Sequence, residues 1–230
     1  MRFQFGPSSR RLWYPEGMAI SVSAAQMRRL DERAIHHFGI PAFVLMDHAG
    51  KAVAAEALRL LKRKPGRVIA MCGGGNNGGD GIVAARWLKG WGVNAEVRWL
   101  KNPSEYKGSV ALHAAIARRC SVRFKAFHTG NPIRPGTIII DALLGTGTTG
   151  ELRDPYRQAI AWINHARQRV VAVDVPSGLD ADTGKPLGIA VRANVTVTMA
   201  VMKKGLILPR ARPFVGQLVV ADIGIPGTGK

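Results

Sequence analysis

Cysteine is nearly absent from this 230-residue chain, which has only Cys72 and Cys120. Set far apart, they make neither a C-x-x-C metal motif nor a disulfide framework, so a small stapled scaffold is excluded and a reducing compartment is expected. Long apolar runs are also missing. The strongest, at 138–140 and 170–173, fall well short of the ~18 residues of a membrane span, so no membrane association is expected. No secretory leader is expected either, because the N-terminal arginines are not followed by an apolar core. Acids are scarce, with 15 Asp and Glu against 33 Lys and Arg, for a net charge of +18. The chain is nevertheless 47% hydrophobic and 21% charged, the balance of a globular protein rather than a disordered one. Its length suits one large domain with its own core.

A basic excess suits a polyanionic partner. The bases are spread, however. The densest group is Lys62, Arg63, Lys64 and Arg67, and residues 98–125 carry seven bases against one acid, Glu105. No zinc-finger spacing, RNA-binding aromatic signature or leucine heptad accompanies them, so the charge reads mainly as solvated surface, the remainder as a weak electrostatic funnel. Residues 1–18 are expected to form a disordered basic arm, and residues 19–228 a single domain. The arm resembles a transit peptide in its arginines and serines, while Met18 is an equally good natural start; both readings stay open.

Ser23 and Gln26 fit a capping box ahead of a helix whose apolar positions include Met27, Leu30 and Ala34. A second helix runs down the stripe Leu45, Ala49, Val53, Ala57 and Leu61 to Pro65-Gly66. The chain then alternates. Strands are expected at 68–72, 95–100, 122–127, 137–144, 170–175, 195–201 and 218–223, with helices at 81–88, 110–118 and 157–166. Continuous apolar strands in repeated βα units predict a mostly parallel sheet covered on both faces, a Rossmann-like three-layer α/β/α domain with two extra N-terminal helices.

In such sheets ligands sit beyond the carboxyl ends of the strands, and three segments there are chemically loaded. Residues 73–81 hold six glycines around Asn76, Asn77 and Asp80. Glycine permits positive φ and close backbone approach, and amides at a helix N-terminus cradle phosphate. The string contains a G-x-G-x-x-G, but the acid expected to hold a ribose is missing from the end of the next strand, and Glu96 lies inside it. No Lys-Ser/Thr pair makes it a Walker A loop. Asp141 follows three isoleucines, where an unpaired buried carboxylate would be costly, and residues 145–151 supply amides and hydroxyls for a phosphate or ribose. Asp174 opens the third segment, Asp174-Val175-Pro176-Ser177-Gly178. Ser177 lacks the G-x-S-x-G setting of a nucleophile, and Asp180 and Asp182 read as turn formers rather than calcium ligands. Oxygens from Asn77, Asp141 and Ser177 combine one formal charge with neutral dipoles, which suits a weakly held monovalent cation better than zinc or magnesium.

Together these segments resemble the NAD(P)H-hydrate epimerase family, the YjeF N-terminal domain. The resemblance begins at residues 26–31 and 45–50, continues through the three loops, and ends at Thr196-Val197-Thr198, Lys203 and 222–226. Met46-Asp47-His48 stands where the family usually has Met-Glu-Asn, Met199 where it commonly has Phe, and Lys204 where it often has Pro. The resemblance implies an isomerase that interconverts the R and S forms of hydrated NADH and NADPH, so that a separate S-specific dehydratase can restore the cofactor. It implies substrate binding by Asn76, Asn77, Gly78, Gly79 and Asp80, by Gly145, Thr146, Gly147, Thr148, Thr149, Gly150 and Glu151, and by Asp174. Potassium would be held by Asn77, Asp141 and Ser177. Asp174 is the expected acid–base group, and Lys203 is expected to assist proton transfer or to contact phosphate. Relatives are often homodimers, a cytoplasmic location is expected, and the chain's end near Ile225 implies a stand-alone epimerase.

Two other readings remain. A non-catalytic RNA- or protein-binding scaffold on the same fold would suit +18, although such relatives tend to lose loop residues that are present here. A dedicated NAD-dependent dehydrogenase is the other. The six histidines fall outside the loaded loops, and Trp87 and Trp91 read as packing rather than as a base-stacking platform.

Overall fold

The structure, a computed structural model, describes residues 21–62, 66–131 and 133–228. The basic arm 1–18 and the cluster residues Arg63 and Lys64 lie outside the described residues. Seven strands, β1 (Arg67–Cys72), β2 (Asn94–Trp99), β3 (Arg123–Ala126), β4 (Ile138–Ala142), β5 (Arg169–Val173), β6 (Val195–Met199) and β7 (Gln217–Ala221), form one sheet in the order β3-β2-β1-β4-β5-β6-β7. Every pairing is parallel. The strand order reverses between β1 and β4, which places a crevice at their carboxyl ends.

The strand pattern explains the layers. Side chains alternate across a strand, so Val68, Ala70 and Cys72 of β1 and Ile138, Ile140 and Ala142 of β4 face one core. Ile69, Met71 and Ile139 face the other. The first face is covered by α2 (Ala42–Leu60), α3 (Asn76–Gly90) and α4 (Gly108–Arg119), and the second by α5 (Tyr156–His165). Burying each of these aliphatic side chains contributes about 1.5–3 kcal/mol, which is why the sheet interior is almost wholly Val, Ile and Ala.

Helix α1 (Ala24–His36) carries the expected capping box: the Gln26 amide donates to Ser23 Oγ at 3.2 Å, and the Ser23 amide to Gln26 Oε1 at 2.8 Å. Two further ties fix it over the crevice. The Ala24 amide donates to Asp182 Oδ1 at 2.7 Å, and Val22 bridges in parallel to Lys203. Asp180 is the turn former the sequence suggested, accepting from the Thr183 amide at 2.7 Å and the Asp182 amide at 3.1 Å. Burial works upward on its carboxyl, but the Thr183 and Asp182 hydrogen bonds outweigh it and hold the pKa below the ordinary value.

One expected boundary is wrong in an informative way. Helix α3 starts at Asn76, not at Gly81, so the Asn-Asn-Gly-Gly-Asp core is the helix's first turn rather than a loop. None of the glycines at 73–81 takes a positive φ. Their role is close packing: a Cβ on Gly73 would stand 2.0 Å from the Leu143 carbonyl oxygen, one on Gly78 2.1 Å from that of Gly73, and one on Gly81 2.4 Å from Ala142 Cβ. The glycines let α3 and the segments after β1 and β4 meet at the switch point.

Candidate active site

A crevice of about 450 Å³ opens at the carboxyl ends of the central strands, within the range of small-molecule sites. Its walls come from α1 with Met27, Arg28 and Asp31, α2 with Leu45 and Met46, the first turn of α3 with Asn76, Asn77 and Asp80, the segments after β4 and β5, Tyr156 of α5, and Met199, Lys203 and Ile223 at and beyond the ends of β6 and β7.

Asp174 directly follows β5 and takes a left-handed φ of +63°, a conformation rare for a residue with a side chain and concentrated at functional sites. Its Oδ1 accepts from Lys203 Nζ at 2.5 Å, Thr198 Oγ1 at 3.2 Å and the Met199 amide at 3.3 Å. Lys203 is wholly buried, and its ammonium also donates to Thr198 Oγ1 at 3.1 Å and the Met199 carbonyl at 2.9 Å. An ammonium has three protons. All three are used within the protein, so Lys203 anchors Asp174 and has no donor left for a phosphate.

Two further carboxyls share the crevice. Asp80 sits on the buried side of α3; burial first, then the charges of Asp174 and Asp31, raise its pKa well above the ordinary range against the pull of Lys203. Burial likewise pushes Asp31 up to about 6, opposed by Lys203 and reinforced by Asp174 and Glu32. Three carboxyls around one buried lysine cannot all ionise freely. The crevice therefore holds Asp174, anchored by the Lys203 ammonium, together with Asp80, a carboxyl that burial pushes upward.

Asp141, at the end of β4, is fully buried. Its carboxylate accepts from Ser177 Oγ at 2.6 Å and from the Ser177 amide at 2.8 Å. Burial pushes its pKa up to about 6 despite these bonds. The Leu144 backbone joins the third member: its carbonyl accepts from Asn77 Nδ2 at 2.8 Å, and its amide donates to Ser177 Oγ at 2.9 Å. Asn77, Asp141 and Ser177 thus converge, as one buried carboxylate among neutral oxygens. That donor set fits a monovalent cation, and among the described residues no cluster of three His, Cys, Asp or Glu offers a conventional metal site.

The remaining expected residues divide. Gly145, Thr146, Gly147 and Thr148 line the crevice, whereas Thr149, Gly150 and Glu151 are exposed and outside its lining. The missing side chains of Gly78 and Gly79 face Gly73 and Met46, so these two shape the wall through packing. Sequence reasoning missed Asp31, Arg28, Tyr156 and Ile223, which also line the crevice. Asp31 left a signal: it lies four residues after Met27 on the buried stripe of α1. Of the departures from the family pattern, Asp47 pairs with Arg86, His48 Nδ1 lies 3.2 Å from the Ile223 carbonyl, and Met199 lines the crevice.

Fold and crevice together define a Rossmann-like α/β domain whose site presents carboxyls, amides and hydroxyls. Residues 42–205 match the family described as YjeF-related protein N-terminus, and the chain belongs to that family. It is 39% identical over 207 residues to an NAD(P)H-hydrate epimerase of Pirellula staleyi, covering 86% of this chain and 90% of that one. It is 41% identical over 213 residues to a bifunctional NAD(P)H-hydrate repair enzyme of Pyrobaculum aerophilum, covering 90% of this chain but 42% of that protein. The chain thus spans about two fifths of that relative's length. The crystal structure of yeast ynu0 superimposes with a TM-score of 0.75 at 26% identity, covering 87% of this chain and 86% of that one. Among the described residues no helix is long and apolar enough to cross a membrane.

Proposed function

We propose that this chain is an isomerase that epimerises the R and S forms of hydrated NADH and NADPH. The observation that carries the reading is the pairing of Asp174, held by the buried Lys203, with the buried Asp80 across one crevice. Relatives named for NAD(P)H-hydrate epimerase and repair support it.

The hydrated ring carbon is a hemiaminal, so the lone pair on the ring nitrogen can expel the hydroxyl. Protonation by Asp80, whose carboxyl burial pushes upward, lets that hydroxyl leave as water and produces a cationic iminium. Water then adds to the opposite face, Asp174 takes its proton through Oδ2, the oxygen not occupied by Lys203, and exchange with solvent returns a proton to Asp80 before the next turnover. Acid–base assistance of this kind contributes about 10²–10⁴-fold. The cationic intermediate forms among carboxyls, which stabilise it, and the apolar wall of Met27, Leu45 and Met46 limits bulk water. Amides at the start of α3 and in 145–148 suit the phosphates.

Potassium bound by Asn77, Asp141 and Ser177 would supply positive charge that fixes the segment after β4. The proposal is completed by a cytoplasmic homodimer working with a separate S-specific dehydratase. Incubating purified R-hydrate with the protein and separating products by chiral chromatography tests the reading: an R/S mixture is expected. Unchanged R would indicate a scaffold, and oxidised product a dehydrogenase.

A further inference from the structure

A second cavity, of about 200 Å³, lies away from the crevice and is lined by Arg67, Glu96, Arg98, Lys125, Asn131 and Arg134. Its position follows from register. Glu96 pairs with Ile69 and Arg123, and Arg98 with Met71 and Lys125, so these charged side chains project from the sheet face opposite α3. Further along that face α5 covers Ile69, Met71 and Ile139. Beside β2 and β3, α5 reaches it at Trp162, and among the described residues the β3–β4 connection adds no further helix.

Charge in this cavity exceeds what its single acid needs. Glu96 is fully buried and is met by Arg67 Nη2 at 2.8 Å and Arg98 Nε at 3.1 Å. One guanidinium would neutralise it; two donate to it, Arg123 Nη2 stands 3.9 Å away, and Lys125 and Arg134 add two more cations to the lining. Arg98 is 5% exposed, with its guanidinium 5.4 Å from the Trp162 ring centroid. Its Nη1 and the Nε of Arg67 are buried without a hydrogen-bond partner. Buried donors are normally satisfied, and leaving one unmet costs about 1–3 kcal/mol. Guanidinium donors fixed by burial are the usual means of holding phosphate oxygens.

We propose that this cavity binds a small phosphate-bearing anion of phosphate or diphosphate size. A whole dinucleotide would not fit, so the site is distinct from the crevice in ligand as well as place. The ligand's oxygens would take up the free N–H groups of Arg98 and Arg67, with Lys125 and Arg134 closing over its outer side.

Thermal unfolding of the whole chain in pyrophosphate, in inorganic phosphate, and in sodium sulfate of matched ionic strength tests this. At ten times the Kd a single specific site raises Tm by roughly 3–5 °C. The expected result is a saturable rise with pyrophosphate or phosphate beyond that with sulfate. That rise should fall at least tenfold in affinity in Lys125→Gln/Arg134→Gln, which leaves the buried arginines in place, while epimerisation of the hydrate is unchanged. A rise equal to that of sulfate, or one undiminished in the double variant, overturns the proposal; the donors would then be met by solvent or the anion would bind elsewhere. Arg98→Met offers a stronger block, interpretable where its circular dichroism spectrum stays native.

Discussion

Replacing Asp31 with asparagine should make the protein more stable and its active site worse. Asp31 carries a folded-state pKa of about 6 against an ordinary 3.8, chiefly because burial disfavours its charge. An acid whose folded pKa lies above its unfolded value opposes folding once it ionises. The penalty is fully present above the folded pKa of about 6, shrinks as pH falls, and vanishes below the unfolded value near 4. A shift of about two units corresponds to roughly 3 kcal/mol. Asp31 is only partly buried, so solvent screening reduces the gain to about 1–2 kcal/mol at pH 7–8. For a chain of this size that raises Tm by roughly 2–8 °C. Thermal unfolding followed by circular dichroism at one-unit steps from pH 4 to pH 8 is the assay. Asp31→Asn should gain most at pH 7–8 and nothing at pH 4, while epimerisation slows because one anion facing the cationic intermediate is gone. Equal Tm values for the two proteins across the range, or a gain that persists undiminished at pH 4, would show that Asp31 bears no buried charge and would refute the reasoning.

Asp174→Asn should lower epimerisation by about 10²–10⁴-fold with the fold intact, measured from the initial rate of R-to-S conversion; a full rate removes Asp174 from the mechanism. Lys203→Met should destabilise by about 3–5 kcal/mol in denaturant titration, by leaving the Asp174 carboxylate without its ammonium, and Lys203→Met/Asp174→Asn should recover part of that loss. Gly78→Ala places a Cβ 2.1 Å from the Gly73 carbonyl oxygen and should cost about 1–3 kcal/mol, whereas Gly75→Ala, with nothing within 4 Å, should be near neutral in the same titration. Replacing potassium with lithium or choline in the buffer should slow epimerisation, with potassium restoring it in the parent protein but not in Ser177→Ala; equal rates in all three salts would argue against the cation.

The sheet was legible because its strands are continuous runs such as Ile138-Ile139-Ile140, whose burial on both faces admits few other arrangements. The carboxyl-end rule then located Asp141 and Asp174 without side-chain geometry. The glycine string at 73–81 was read correctly as a place of close approach but wrongly as a loop. The helix nevertheless starts at Asn76, because Gly78 and Gly81 let it close against Gly73 and Ala142, where a Cβ would collide. Asp31 was hidden for a different reason. A helix stripe shows which side is buried, not what it is buried against; the Val22–Lys203 bridge and the Asp182 tether help bring α1 over the crevice. The partnership of Lys203 with Asp174 spans β6, and no local pattern encodes it.

The net charge of +18 takes on a different meaning once the acids are located. With only 15 in the chain, three of them (Asp31, Asp80 and Asp174) line one crevice with the buried Lys203, and a fourth, Asp141, is fully buried against Ser177 in the segments that form its wall. The site is therefore locally acidic within a strongly basic protein. That opposition suits a hydrated dinucleotide. Its phosphates are anionic, so a positive surround favours its approach over distances comparable with the Debye length, about 8 Å at physiological salt. Its reacting ring becomes cationic only when the hydroxyl leaves, and carboxyls aimed at that ring act on the transition state more than on the bound hydrate. Surface charge and site charge thus serve different stages, and salt should separate them. Raising ionic strength should raise KM through the screened surround and leave kcat, set by carboxyls within the crevice, nearly unchanged. A parallel fall in kcat would mean that the acidic site is as open to screening as the surface, and the division of roles would fail.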